Sequence, residues 1–239
     1  MNLVIDSGNT RFKIGVFEGA SLIQKYSFSE SELLRNFLTK NSFSHVLVSS
    51  VSYGANEILT WTQCSGKKIV LDATMSLPVT LNYATPGTLG VDRIAAVCGA
   101  LELYPGHDCL VIDIGTCINY EFLSRDKIYM GGSISPGVMM RFEAMHTLTS
   151  KLPLVKPIYE PTLIGISTEL CMQSGVMNGA IEEINGIINR YIELFPAMKV
   201  ILCGGDSAFF ENRLKHPIFV APELVLSGLN RILRHHVEF

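Results

Sequence analysis

With 239 residues, 48% apolar and 17% charged, the chain can bury a substantial core in one large or two small domains, which excludes a disordered chain. A formal net charge of -3 speaks against a general nucleic-acid binder, which needs a basic face to neutralise phosphates; it leaves room for a local basic patch. Met1 runs straight into an apolar strand that ends at Asp6, with neither a basic flank nor a long apolar stretch, so the expectation is a cytoplasmic protein with no membrane segment. The six cysteines, Cys64, Cys98, Cys109, Cys117, Cys171 and Cys203, form no C-x-x-C pair and have no histidine cluster beside them, which predicts reduced, mostly buried thiols and no zinc site.

In chain order, an apolar strand ends in Asp6-Ser7-Gly8-Asn9-Thr10, and a second strand over 12–17 and a third over 22–28 follow it. Residues 29–40 read as a helix with Ser29 and Ser31 available as caps, 45–50 as a strand, 54–64 as a helix and 67–71 as a strand. The linker Tyr104-Pro105-Gly106-His107 then separates two halves, 1–108 and 109–239. In the second half the opening returns: Leu110-Val111-Ile112-Asp113-Ile114-Gly115-Thr116 repeats Leu3-Val4-Ile5-Asp6-Ser7-Gly8-Asn9 in pattern, and strands over 119–123 and 127–134 repeat the hairpin. Further on come a helix over 137–149 and a long helical stretch over 167–195, with an interruption expected near Gly175 or Gly179. A buried strand, 199–203, enters Gly204-Gly205-Asp206, and a helix, a strand over 218–221 and a terminal helix from about Pro222 complete the chain. Hairpins followed by alternating helices and strands, twice over, predict an α/β protein of two similar domains with mixed five-stranded sheets and a cleft between them.

A glycine directly after a strand lets the backbone approach a phosphate, and small polar neighbours supply donors. Asp6, Ser7, Gly8, Asn9 and Thr10 have this character, with Lys13 as a nearby cation, although the run matches neither the Walker nor the G-x-G-x-x-G pattern and could, taken alone, be an ordinary turn. Its repetition favours the nucleotide reading. Equivalent positions in two similar domains would set Asp6 and Asp113 on opposite walls of a cleft, where two carboxylates are compatible with cations on nucleotide phosphates. Gly204-Gly205-Asp206 is a third close-approach turn, most naturally aimed at adenosine, and Gly-Gly after a strand is by itself a weak signal.

Taken together, these residues resemble the type III pantothenate kinases of the acetate kinase/Hsp70/actin superfold, over nearly the whole chain. The pattern D-x-G-N-T-x-x-K-x-x-x-F is present from Asp6 to Phe17, and Y-x-x-P-x-x-L-G-x-D-R is intact from Tyr83 to Arg93. D-x-G-T stands at 113–116, G-G-x-I-x-P-G-x-x-M-R at 131–141 and T-x-x-L-P at 149–153. Gly90-Val91-Asp92-Arg93 separates this family from other kinases of the superfold. One departure is Cys117-Ile118-Asn119-Tyr120-Glu121, where relatives carry small residues and then Asp, leaving the role of Glu121 open.

The resemblance implies two ribonuclease H-like domains and ATP-dependent phosphorylation of pantothenate to 4'-phosphopantothenate, the first step of coenzyme A biosynthesis. It implies Asp92 as the base. Asp6, Ser7, Gly8, Asn9, Thr10, Arg11, Phe12, Lys13 and Thr116 would bind ATP, with Asp6 acting on Mg2+ directly or through water. Tyr83, Gly90, Val91, Asp92, Arg93 and Thr168 would contact pantothenate; Arg93 could grip an anionic part of the substrate or hold Asp92. Asp113 would hold a monovalent cation, K+ or NH4+, and a homodimer is expected, with the 167–195 helix as candidate interface and no nucleic acid or membrane partner. Plainer roles exist for each: a helix-start acid for Asp92, a packed aromatic for Tyr83, a cap for Thr168. The rival functions are a kinase of the same fold for another small acceptor and a catalytically silent regulatory or transcription-accessory relative.

Overall fold

The computed structural model describes residues 1–51 and 54–237. Its strands are β1 (Asn2–Ser7), β2 (Phe12–Glu18), β3 (Ser21–Phe28), β4 (Ser42–Phe43), β5 (His45–Ser50), β6 (Gln63–Cys64), β7 (Lys68–Val70), β8 (Thr80–Leu81), β9 (Cys109–Ile114), β10 (Cys117–Leu123), β11 (Ile128–Pro136), β12 (Lys199–Cys203) and β13 (Phe219–Val220). The helices are α1 (Ser31–Lys40), α2 (Ala55–Thr60), α3 (Val91–Leu103), α4 (Val138–Leu148), α5 (Thr168–Leu194), α6 (Ser207–Phe210) and α7 (Leu224–Val237), with a 3-10 turn at Pro86–Thr88. Among them no helix is long and apolar enough to cross a membrane.

The chain forms two compact units, the first from residues 1–106, 123–131 and 223–239, the second from 107–122 and 132–222. This differs from a single division after residue 108: the tip of the β10–β11 hairpin and the terminal helix both belong to the first unit. The helix returns because α7 is amphipathic, burying Leu224, Leu226, Leu229, Ile232 and Leu233, and because it packs along α3. Close approach there depends on glycine. A Cβ on Gly228 would lie 1.8 Å from the Ala95 carbonyl oxygen, and one on Gly99 would lie 2.3 Å from that of Leu224.

In the first unit the sheet runs β3-β2-β1-β5-β7; β1 pairs antiparallel with β2 and parallel with β5. Leu3, Ile5, Ile14, Val16, Val46 and Val48 pack on Leu34 and Leu38 of α1. The second sheet has the order β13-β12-β9-β10-β11-β8, with β9, β12 and β13 parallel, so it carries one short strand more than the expected five. In the second unit, Leu110, Ile112, Tyr120 and Phe122 pack with Met172, Val176, Ala180, Ile184 and Ile188 of α5.

Three local expectations change. Glu30, flanked by Ser29 and Ser31, occupies the α1 N-cap without a side-chain bond, so neither serine caps the helix. The helix expected over 54–64 stops at Thr60, and Gln63 and Cys64 turn into β6. α5 runs 27 residues without a break at Gly175 or Gly179, because its buried apolar stripe outweighs about 1 kcal/mol of helix propensity per glycine. All six cysteines are free thiols; Cys98, Cys109 and Cys203 are buried, whereas Cys171 is exposed.

Candidate active site

The first acidic turn closes the β1–β2 hairpin. Asp6 and Ser7 end a buried strand, opposite Lys13 and Phe12 in register, and the Gly8 N–H donates to the Arg11 carbonyl at 3.1 Å. Asn9, Thr10 and Arg11 are consequently exposed at the tip, while Asp6 stays only 7% exposed at its base. Parallel pairing places Ser49 of β5 beside Asp6, and the buried Ser49 Oγ has no hydrogen-bond partner. A buried carboxylate next to an orphaned hydroxyl fits a hard cation or its water shell, which take oxygen ligands.

The second acidic turn, at the end of β9, is built from three backbone segments. The Gly115 N–H donates to the Cys117 carbonyl at 2.9 Å, the Gly137 N–H to the Thr116 carbonyl at 3.1 Å, and the Asp206 N–H to the Ile114 carbonyl at 3.0 Å. Glycine is demanded on both flanks. A Cβ on Gly137 would sit 2.1 Å from the Gly115 oxygen; Gly204, at φ +92°, would place one 2.4 Å from Asp113 Oδ1. Asp113 thus has a carboxylate oxygen against a glycine backbone where a side chain would clash, and Thr116 is exposed at the tip. Next to Gly204-Gly205-Asp206 is a cavity of about 130 Å³, lined mainly by Val138, Met139, Tyr159, Met177 and Phe209 together with Asp206.

A polar cluster gathers on Glu183 in the same unit. Glu183 of α5 accepts from Ser135 Oγ at 2.6 Å, from the Tyr120 hydroxyl at 3.0 Å and from Arg141 Nη2 at 2.5 Å, and Arg141 Nε donates to the Pro136 carbonyl at 2.8 Å. Burial alone would push the Glu183 carboxyl up, but the bonds from Ser135, Arg141 and Tyr120, with the Arg141 charge, outweigh it and hold its pKa below the ordinary value. Burial, with the charge and bond of Glu183, pushes the Tyr120 phenol up and keeps it a donor. Neither Glu183 nor Ser135 was singled out by sequence, because one acid on a long helix reads as a solvated face.

The segment 83–93 runs from just beyond β8 into the first turn of α3. Asn82 N–H donates to the Tyr129 carbonyl at 2.9 Å, the turn Pro86–Thr88 folds the middle, and Gly90 caps α3. Asp92 lies in the first turn of that helix, half-buried, with Oδ1 accepting the Arg93 N–H at 2.9 Å. Carboxylates are favoured in the first turn by the helix dipole. A Cβ on Gly90 would meet Asp92 Oδ1 at 2.5 Å, so glycine lets the carboxylate fold back. Arg93, a residue 8% exposed, donates through its guanidinium to the Tyr129 hydroxyl at 2.9 Å, and the guanidinium lies 5.8 Å from the Tyr83 ring centre.

The structure therefore brings Tyr83, Gly90, Asp92 and Arg93 together in the first unit; Asp113 and Thr116 share one turn of the second. Val91 opens α3 beside Asp92. Thr168 is exposed at the start of α5, where Ser167, not Thr168, is the cap, accepting from the Leu170 N–H at 3.3 Å. It lines a surface cavity of about 710 Å³ with Met145, Leu152, Ile166, Cys171 and Met172. Glu121 is fully buried on β10.

Comparison with known proteins identifies the family of the chain. Residues 2–190 match the family model for type III pantothenate kinase. A type III pantothenate kinase of Cytophaga hutchinsonii is 44% identical over 99% of this chain and 100% of its own length, and one of Christiangramia forsetii is 42% identical over 98% of both. Among solved structures, a protein of Campylobacter jejuni described as a Baf family transcriptional activator superposes with a TM-score of 0.66 at 21% identity, covering 99% of this chain and 100% of that one. A Sinorhizobium meliloti protein described as a 2-dehydro-3-deoxygalactonokinase superposes at 0.59 with 11% identity, both chains fully covered, a likeness of fold alone. By sequence over nearly its whole length, the chain belongs to the type III pantothenate kinase family.

Proposed function

We infer that the protein phosphorylates the primary alcohol of pantothenate with ATP, the family's reaction and the first step of coenzyme A biosynthesis, and that Asp92 is its base. The observation that carries this reading is the seat of Asp92 in the first turn of α3, next to Arg93, whose guanidinium lies against the Tyr83 ring. An ionised carboxylate there can orient the attacking hydroxyl and take its proton as the oxygen bonds to the γ-phosphorus and the bond to the β-phosphate oxygen breaks, releasing ADP. Tyr83, Gly90, Val91, Arg93 and Thr168 are assigned to pantothenate.

The first turn, Ser7 to Lys13 with Asn9, Thr10 and Arg11 at its exposed tip, and Thr116 of the second are assigned to the phosphates, whose transfer demands alignment and charge neutralisation more than covalent chemistry. Mg2+ carried with ATP would supply much of that neutralisation, held by Asp6 directly or through water. Asp113 is assigned to K+ or NH4+, and Gly204-Gly205-Asp206 to the adenosine.

A homodimer fits the surface of the second unit. Leu148, Leu163, Ile164 and Ile166 are 81%, 83%, 79% and 90% exposed, large apolar side chains that a partner chain would cover. The interface assigned here is formed by these residues with the start of α5 rather than the whole helix. The reaction itself is cytoplasmic in this reading.

Incubating the purified protein with Mg-ATP and a panel of small alcohols and acids, with mass-spectrometric detection of products, tests the substrate. Phosphopantothenate as the dominant product supports the reading. A different preferred acceptor, or none from a folded ATP-binding protein, would overturn it in favour of another kinase or a regulatory relative.

A further inference from the structure

Tyr129 of β11 touches the candidate substrate segment in three ways. Its carbonyl accepts the Asn82 N–H at 2.9 Å, anchoring the backbone just before Tyr83. Its ring stacks with that of Tyr83, centroids 5.9 Å apart and planes 28° from parallel. Its hydroxyl accepts from Arg93 Nη2 at 2.9 Å in a buried setting. The side chain is fully buried, so these contacts exclude water.

We propose that Tyr129 is a positioning residue for pantothenate: it ties the two ends of the 83–93 segment, Tyr83 and Arg93, into one fixed arrangement before substrate arrives. The proposal rests on the reading of Tyr83 and Arg93 as substrate contacts, and adds a residue that reading does not contain. The geometry favours positioning over bulk packing. An arginine held at 8% exposure has lost most of its hydration, and a phenolic hydroxyl restores one of its five donor bonds in a set direction. Stacking the Tyr83 ring beneath the same guanidinium adds a second constraint on its plane. Gly131 completes the arrangement: at φ +86° it turns β11 just past Tyr129, and a Cβ there would lie 3.6 Å from the Tyr83 ring. Binding then costs less, because ordering of these side chains has already been met in folding.

Tyr129→Phe removes one oxygen and keeps the ring. The expected result is a pantothenate KM raised about tenfold, the range for one lost bond to a charged group, with the ATP KM and kcat within about twofold of wild type. Arg93→Lys, which cannot offer the planar fork, should raise the same KM. In the double variant the two effects should fall well short of adding, because Tyr129 acts through Arg93. An unchanged pantothenate KM in Tyr129→Phe, full additivity in the double variant, or a drop in melting temperature with both KM values moving together would overturn the proposal, the last assigning Tyr129 to packing alone. Wild-type protein run alongside separates the two layers: no phosphopantothenate from wild type refutes the substrate reading, whereas active wild type with an indifferent Tyr129→Phe refutes only the positioning role.

Discussion

Asp92 Oδ1 accepts the backbone N–H of Arg93 at 2.9 Å, so the candidate base is fixed by the first turn of its own helix rather than by a distant side chain. Adjacent residues therefore divide the work: the backbone of Arg93 steadies the carboxylate, and its guanidinium reaches Tyr129 and Tyr83. Stability and chemistry should be separable at this point, and that separation shapes the tests.

Glu183→Gln should lower stability by about 1 kcal/mol at neutral pH, a figure discounted for the partial exposure of the pair with Arg141. The sign with pH follows from the lowered pKa. A carboxylate whose folded pKa lies below its ordinary value of 4.5 contributes stability that is complete above that value and is lost as pH falls through the folded pKa. Denaturant titrations of both proteins should show their gap narrowing as the solution is acidified below about pH 4.5; a constant gap would contradict the charged network.

Glycine-to-alanine changes should split by location. In Gly228→Ala the new methyl would stand 1.8 Å from the Ala95 carbonyl oxygen, forcing α7 from α3 at a cost of roughly 2 kcal/mol or more. Gly179→Ala, where a Cβ meets nothing within 4 Å, should gain up to about 1 kcal/mol from helix propensity. Thermal melts would reveal the opposite signs, and equal shifts would argue against the α3–α7 contact.

Asp113→Ala should abolish stimulation by K+ while ATP binding persists, measured as turnover in K+ against Na+ and as nucleotide titration. Retained K+ activation would remove Asp113 from the cation site.

Ile166→Glu places a charge on a side chain that is 90% exposed in the lone chain. Light scattering should show a dimeric wild type and a monomeric variant, since an unpaired charge in an apolar interface is strongly unfavourable. An unaltered mass would move the interface elsewhere.

Much of the fold could be read from short-range pattern. The two D-x-G turns sit at the ends of β1 and β9, and the 83–93 segment is gathered around the start of α3, because tight turns are encoded by the residues that make them. Long-range pairings were not legible. Nothing near Tyr129 says that β8 lies beside it, so an aromatic in a strand reads as core. The return of α7 to the first unit depends on Gly99 and Gly228, whose fit is visible only once the helices are paired. Glu183 likewise looks solvated until Tyr120, Ser135 and Arg141 converge on it.

The most direct measurement is pantothenate-dependent ADP release by wild type and Asp92→Asn in Mg-ATP and K+, with melting curves for both. The account predicts a kcat lower by ~10²–10⁴-fold in the variant, the usual share of a general base, with the ATP KM and the melting temperature close to wild type. Undiminished turnover by a correctly folded Asp92→Asn would contradict it.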